Sequence, residues 1–218
     1  MPAVKHALDR ILAAAGLVVL APFLAAIAVW IVIESGGPIL IRQARAGQDG
    51  RPFRMLKFRT MVPDALELGR QLRLSDPFGI VPNDPRITRS GRFLRRTSLD
   101  ELPQLWNVLR GEMSLVGPRP DLVEQVVNYE PADRRRLAVR PGMTGWSQIH
   151  GRDEIPWSVR FEHDAWYVEN WSLALDAKIL AKTVRQLFRP EPTPVPDTLN
   201  VERARARRLE AEKQRESR

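Results

Sequence analysis

The feature that most constrains this chain is an uninterrupted apolar run from Ile11 to Ile33, with no charge and a proline, Pro22, near its middle. A run of this kind is long enough for the roughly 20 residues that cross a bilayer. It is too long for the apolar core of a cleaved leader, and no small-residue cleavage site follows it. Inside a helix Pro22 removes a backbone donor and crowds the preceding turn, a penalty of about 3 kcal/mol. In lipid the freed carbonyl must find a partner nearby, which makes a kink at Pro22 the expected outcome. The flanks sharpen the picture. Lys5, His6 and Arg10 precede the run, and Arg42, Arg45, Arg51 and Arg54 follow it. Basic flanks mark the cytoplasmic side, and here both ends carry them. A helix that enters, breaks at Pro22 and returns keeps both flanks inside, whereas a straight span leaves one outside. A buried core helix is the third reading, disfavoured because the run has no polar face.

The remaining residues read as a soluble domain with a tail. Strands are expected at Ile39–Ile41 and Phe53–Phe58, joined through Gly47, Gly50 and Pro52. Helices are expected over 64–74, over 119–128, over 133–139 and from Trp157 to Leu187. Trp157, Phe161, Trp166, Tyr167 and Trp171 in the last of these suit either a core or the headgroup level of a bilayer. After Pro190 come Pro192, Pro194 and Pro196, then a segment of Glu, Arg, Lys and Ala with no apolar face.

Charge and composition narrow the chemistry. The chain has 218 residues, a formal net charge of +8 and no cysteine. Disulfides, zinc–thiolate sites and cysteine nucleophiles are therefore excluded. The positive charge calls for an anionic partner: nucleic acid, an anionic bilayer surface or phosphorylated small molecules. No Walker loop or dinucleotide glycine fingerprint occurs.

The densest chemistry runs from Asp84 to Pro120. Leu102, Leu105, Trp106 and Leu109 follow helical spacing, and Pro103 is tolerable only in a first turn, so a helix is expected to start at Leu99 or Asp100. Asp100 and Glu101 then sit at its positive end, where ionised carboxylates are favoured. Two adjacent carboxylates repel unless a cation lies between them, and oxygen ligands suit magnesium. An ionised Asp is also a competent nucleophile toward phosphorus. Taken alone, an acidic first turn is equally ordinary helix capping. Around it lie Arg86, Arg89, Arg92, Arg95, Arg96 and Arg119, whose forks match phosphate oxygens.

KFRTM (57–61), DPRIT (84–88), RRTSLDELPQLWNVLRGEMSLVGPRP (95–120), RPGMTGWSQIHGR (140–152) and WYVENWSLALDAKIL (166–180) together resemble the bacterial sugar transferases, the monotopic phosphoglycosyl transferases. The likeness extends from about Lys5 to Leu187 and suggests the small form, with the catalytic core alone. It implies an α/β chain, mostly helical α+β. An N-terminal re-entrant membrane helix hairpin over 1–36 would precede a compact cytosolic catalytic domain over 37–189 that carries interfacial amphipathic helices. A Pro-rich linker and charged tail would occupy 190–218.

The implied reaction transfers a sugar 1-phosphate from a UDP-sugar to polyprenyl (undecaprenyl) phosphate, with release of UMP. Asp100 would form the covalent phosphosugar intermediate, and Glu101 would help hold Mg2+ and assist the acceptor. By the same matching Lys57, Arg95, Arg119 and Arg152 are expected at phosphate or substrate, with Pro22 and Asp176 in supporting roles. The expected place is the cytosolic face of a bacterial inner membrane. No nucleic acid is expected, and a second copy of the chain is an allowed partner. Ala21 stands where the family often has Ser before the membrane proline. His150 and Asp153 replace two common Asn residues in the loop facing the nucleotide sugar. The competing readings are a glycosyl transferase releasing UDP and a basic protein that binds membrane or nucleic acid without catalysis.

Overall fold

The computed structural model describes residues 1–72, 84–151 and 155–186. The apolar run lies in one helix, α1 (Ala3–Ser35), with Pro22 inside it. At 1.5 Å per residue a straight helix of this length would reach roughly 50 Å. Helical structure continues through Pro22, so α1 is a single element where two separated arms were expected.

One face of α1 docks on the rest of the chain from end to end. Lys5, Asp9, Ala13, Leu17, Leu20, Leu24, Ile27 and Ile31 recur every three or four residues, the spacing of a single helical stripe. Gly16 lies on the same side, where an added Cβ would meet Leu105 at 3.4 Å. The opposite side is bare: Val18 and Val19 are each 76% exposed, and Ile33 78%. Only 11% of the most apolar 18-residue window is buried, which removes the core-helix reading. Lys5 is not a solvated basic flank either. It is buried, with its Nζ 2.6 Å from Asp176 Oδ2 and 3.6 Å from Asp9 Oδ2.

Strands β1 (Leu40–Ala46) and β2 (Pro52–Phe58) form an antiparallel hairpin in which Ile41 faces Lys57, Gln43 faces Met55 and Arg45 faces Phe53. β1 is longer than expected because its Arg and Gln residues hide a strand that is largely exposed. Helix α2 (Ala65–Gln71) is the expected 64–74 helix as far as the described residues run. Helix α3 (Arg89–Arg96) was not anticipated. It starts with Thr88 as N-cap, whose Oγ1 accepts from Gly91 N at 2.9 Å. Gly91 is required there, since a Cβ would stand 2.0 Å from the Thr60 carbonyl oxygen.

Helix α4 (Gln104–Arg110) begins later than the expected Leu99 or Asp100. Pro103 is its N-cap, and Leu99–Glu101 form a separate 3-10 turn in front of it. Pro103 lacks the N–H that a helix interior needs, and the chain meets this by starting α4 after the proline instead of ahead of it. Two short strands, β3 (Ser114–Val116) and β4 (Gly142–Thr144), pair in parallel, a non-local contact with no local signature. The expected helix over 119–128 shrinks to α5 (Val123–Val126), and that over 133–139 is a 3-10 helix, Asp133–Ala138.

The expected long C-terminal helix is two, α6 (Trp157–Glu169) and α7 (Leu173–Gln186). The break is written at Ser172, whose Oγ accepts from Leu175 N at 3.1 Å as an N-cap does. The aromatics here are mostly core. Phe161 and Tyr167 are buried, Trp157 packs against Phe161, and Trp171 Nε1 donates to Asp176 Oδ2 at 3.1 Å. Trp166 alone of the five is substantially exposed, stacked on Trp146 with centroids 4.5 Å apart.

Candidate active site

The 3-10 turn Leu99–Glu101 places its two carboxylates in different surroundings, although they are neighbours in sequence. It is entered through Ser98, a non-glycine residue in the left-handed region at φ 56°. Such a conformation costs about 1–2 kcal/mol and persists where the surroundings hold it in place. What holds the following helix is Asn107. Its Oδ1 accepts from Leu56 N at 3.0 Å, and its Nδ2 donates to Arg54 O at 2.9 Å and Glu112 Oε2 at 2.7 Å. One side chain on α4 thereby replaces a strand partner for β2 and fixes α4 against the hairpin.

That registration brings Lys57 of β2 to Glu101. Lys57 Nζ lies 2.7 Å from Glu101 Oε1. Arg119 grips the same carboxylate as a fork, with Nη2 2.8 Å from Oε1 and Nη1 3.2 Å from Oε2. Burial opposes ionisation of Glu101, but Arg119 and Lys57 outweigh it and hold the carboxyl well below its usual range. The cation needed to separate the two acids is thus supplied, at least in part, by the protein itself.

Asp100 is left in the contrasting state. It is 8% exposed, and among the described residues no hydrogen bond or ion pair engages its carboxylate. Burial, and then the charge of Glu101, push its pKa up to about 6, against the pull of Lys57, Arg95 and Arg119. It remains largely ionised at neutral pH, yet it is poorly solvated and uncommitted. Those are the properties of a nucleophile.

The other expected site residues separate into near and far. Arg95, in the last turn of α3, donates from Nε to Thr60 Oγ1 at 2.8 Å, and its charge is felt at Asp100. Arg152 lies outside the described residues, as does Asp153. Asp176 is on α7, away from Asp100, and accepts from Lys5, Tyr167 and Trp171. Pro22 is inside α1. His150 Nδ1 pairs with the Trp146 carbonyl at 2.8 Å, and burial lowers its pKa.

A buried support for Arg119 was not anticipated. Arg136 Nη2 donates to the Arg119 carbonyl at 2.8 Å and to Asp164 Oδ2 at 2.6 Å. Arg136 also pairs with Asp121, which takes a hydrogen bond from Tyr129, while Ser147 donates to Asp164 Oδ1 at 2.7 Å. In sequence, Arg136 is one of three successive arginines, which a charge count assigns to solvent. Gly117 and Gly142 meet closely at the base of this turn, where a Cβ on Gly142 would stand 2.1 Å from Gly117 N.

Among the described residues no group of three or more carboxylates, cysteines or imidazoles converges to cage a metal. The oxygens of Asp100 and Glu101 are nevertheless suited to a hard cation that keeps ligands from elsewhere, as magnesium does with substrate phosphates.

The model of the family described as bacterial sugar transferase matches residues 1–190. An uncharacterized sugar transferase, EpsL, of Bacillus subtilis (strain 168) is 46% identical over 156 residues, 72% of this chain and 73% of the relative. The UDP-galactose-lipid carrier transferase of Erwinia amylovora is 43% identical over 188 residues, covering 83% of this chain and 39% of the relative. The UDP-glucose:undecaprenyl-phosphate glucose-1-phosphate transferase of Xanthomonas campestris pv. campestris is 44% identical over 188 residues, 80% of this chain and 37% of the relative. The chain therefore spans well under half the length of the last two.

Proposed function

The chain belongs to the bacterial sugar transferase family, and on that premise we propose that it transfers a sugar 1-phosphate from a UDP-sugar to undecaprenyl phosphate and releases UMP. The observation that carries this reading is the unequal pair: Asp100 buried and uncommitted, Glu101 neutralised by Lys57 and Arg119. In the first half-reaction Asp100 Oδ bonds to the β-phosphorus and the bond from that phosphorus to the bridging oxygen breaks. UMP leaves with the electron pair. In the second, a phosphate oxygen of the polyprenyl carrier attacks the same phosphorus, the bond to Asp100 breaks, and the carboxylate is restored.

Arg119, Lys57 and Arg95 supply fixed positive charge where phosphate oxygens accumulate negative charge, so little reorganisation accompanies the transfer. Glu101, kept ionised by its two cations, anchors them and is a poor proton acceptor. Magnesium would be held by Asp100 and Glu101 together with donor oxygens, and when bound it would draw charge from the departing phosphate.

The outer face of α1 belongs in the bilayer in this reading, with Pro22 at the deepest point of a re-entrant path and both ends on the cytosolic face of the inner membrane. Support comes from the attachments at the two ends. Lys5 is fastened to Asp176, and Glu34 accepts from Arg89 N at 2.7 Å and Ser90 N at 2.9 Å. A helix that crossed the bilayer could not dock both ends on one soluble domain.

The test is nucleotide release from the full chain with magnesium, undecaprenyl phosphate and a panel of donors that includes UDP-glucose and UDP-galactose. UMP is expected. Release of UDP would replace phosphosugar transfer with glycosyl transfer.

A further inference from the structure

Arg45 reads in the sequence as one of several basic residues flanking the membrane segment. The structure puts it elsewhere. Cross-strand partners share a face of a hairpin, and residues two apart on a strand share it too. Ile41–Lys57, Gln43–Met55 and Arg45–Phe53 are therefore on one face of β1–β2, which brings Gln43 and Arg45 to the same side as Lys57.

On that face Arg45 is held by two neutral contacts. Its Nη2 donates to Gln43 Oε1 at 2.8 Å and its Nη1 to the Pro120 carbonyl at 3.3 Å, one residue beyond Arg119. Its Nε is buried without a hydrogen-bond partner, and among the described residues no carboxylate is within ion-pair distance of it. Burial, and then the neighbouring Arg119 charge, lower its pKa to about 10, so it stays charged at a cost. Two guanidinium groups are thus crowded into a half-buried place, and the carboxylates that act most on Arg45 are already engaged, Asp121 by Arg136 and Tyr129, and Glu101 by Arg119 and Lys57. An anion with several oxygens relieves that arrangement, and a planar fork with free N–H groups suits phosphate.

We propose that Arg45 is a phosphate-binding residue of the active site, which acts with Arg119 on either the diphosphate of the donor or the phosphate of the polyprenyl acceptor. The proposal rests on the transferase reading for its substrates, but the anion site itself is testable without turnover. Inorganic pyrophosphate, titrated calorimetrically into the full chain in detergent without divalent metal, is expected to bind about tenfold more weakly to Arg45→Gln than to the parent. Arg45→Lys, which keeps the charge and loses the fork, is expected to recover part of the loss. Unchanged pyrophosphate affinity in a folded Arg45→Gln protein overturns the proposal, as does a Lys variant that binds no better than the Gln variant.

Steady-state kinetics then distinguish the source. A KM increase confined to the UDP-sugar assigns the contact to the donor, and one confined to undecaprenyl phosphate assigns it to the acceptor. Two unmoved KM values overturn the inference. Arg45-dependent pyrophosphate binding in a chain that releases no UMP would remove the proposed function and leave this site standing. UMP release with Arg45-independent binding would do the reverse.

Discussion

Lys5 and Asp176 are 171 residues apart in the chain and 2.6 Å apart in space, and both are buried. The pair joins the first turn of the apolar helix to α7. Asp176 also accepts from Tyr167 Oη at 2.7 Å, and the adjoining Asp9 accepts from Ser114 Oγ at 2.6 Å. Lys5→Met leaves Asp176 and Asp9 buried without their cation and is expected to destabilise the protein by about 3–5 kcal/mol. Lys5→Met combined with Asp176→Leu is expected to be less damaging than the two single effects added together. Denaturation of all three variants in one detergent closes the cycle, and strict additivity would show the pair to be uncoupled.

Because the chain contains no cysteine, topology is open to clean labelling. Single cysteines at Ala3 and at Gly50 are expected to react with a membrane-impermeant thiol reagent only from the cytosolic side, in inverted vesicles and not in intact cells. Labelling of Ala3 from outside would replace the re-entrant path with a span.

Asp100→Asn is expected to abolish turnover, by a factor on the order of 10³ or more, because no neighbouring carboxylate can take over. The same substitution removes an unpaired buried charge whose pKa burial has raised to about 6. Above that pH the native state must ionise the group unfavourably, so the Asn protein is expected to melt no lower than the parent at pH 7.5, and higher if anything. An inactive variant that also melts far below the parent would point to a structural role for Asp100.

Asn107→Ala strands Leu56 N–H and Arg54 C=O, two backbone groups that Asn107 satisfies. Each buried group without a partner costs about 1–3 kcal/mol. The loss of registration should also separate Lys57 from Glu101, so kcat is expected to fall more than stability alone explains. A variant of normal kcat at a temperature where it is fully folded would argue against this coupling.

Acid stability tests the turn that leads into α3. Asp84 is buried and bonded to Arg86, chiefly through its side chain (Nε–Oδ1 2.9 Å, Nη2–Oδ2 2.6 Å), and this holds its pKa below the usual carboxylate range. A depressed folded pKa means that the pair contributes its full stability above the unfolded value of about 4, and loses it as pH falls through the lower folded value. The stability gap between the parent and Asp84→Asn should be constant from pH 5 to pH 7 and close below about pH 4. A gap that persists unchanged to pH 2.5 would show that the ionised pair is not its source.

The legible parts of this molecule were those in which local pattern and chemistry coincide. The apolar helix, the hairpin and the Asp100–Glu101 pair all announce themselves within a few residues, and Lys57 and Arg119 stood out through the family resemblance. What escaped depends on partners far away in the chain. β3 and β4 are three residues each and exist only as a pair. Arg136 and Lys5 look solvated in sequence because the carboxylates that bury them arrive from α6 and α7. Arg45 is a basic flank of the apolar run by sequence, whereas its place is set by the hairpin register. The start of α4 departs from the expected Leu99 or Asp100 because Pro103 serves as the cap and does not enter the first turn.

Glu34 near the end of α1 seats on the first backbone amides of α3, and Arg95 stands in the last turn of the same helix. Arg59 closes the other side by donating to Ser35 O at 3.0 Å and Ser35 Oγ at 2.8 Å. Eight helical residues amount to roughly 12 Å of stiff rod. In the proposed reading, the end of the lipid-facing helix and the place of the phosphate chemistry are therefore joined by one short helix. On that reading the depth at which α1 settled in a bilayer would set the height of Asp100 above the headgroups, so a change in membrane thickness would reach the chemistry as a change in altitude rather than in shape.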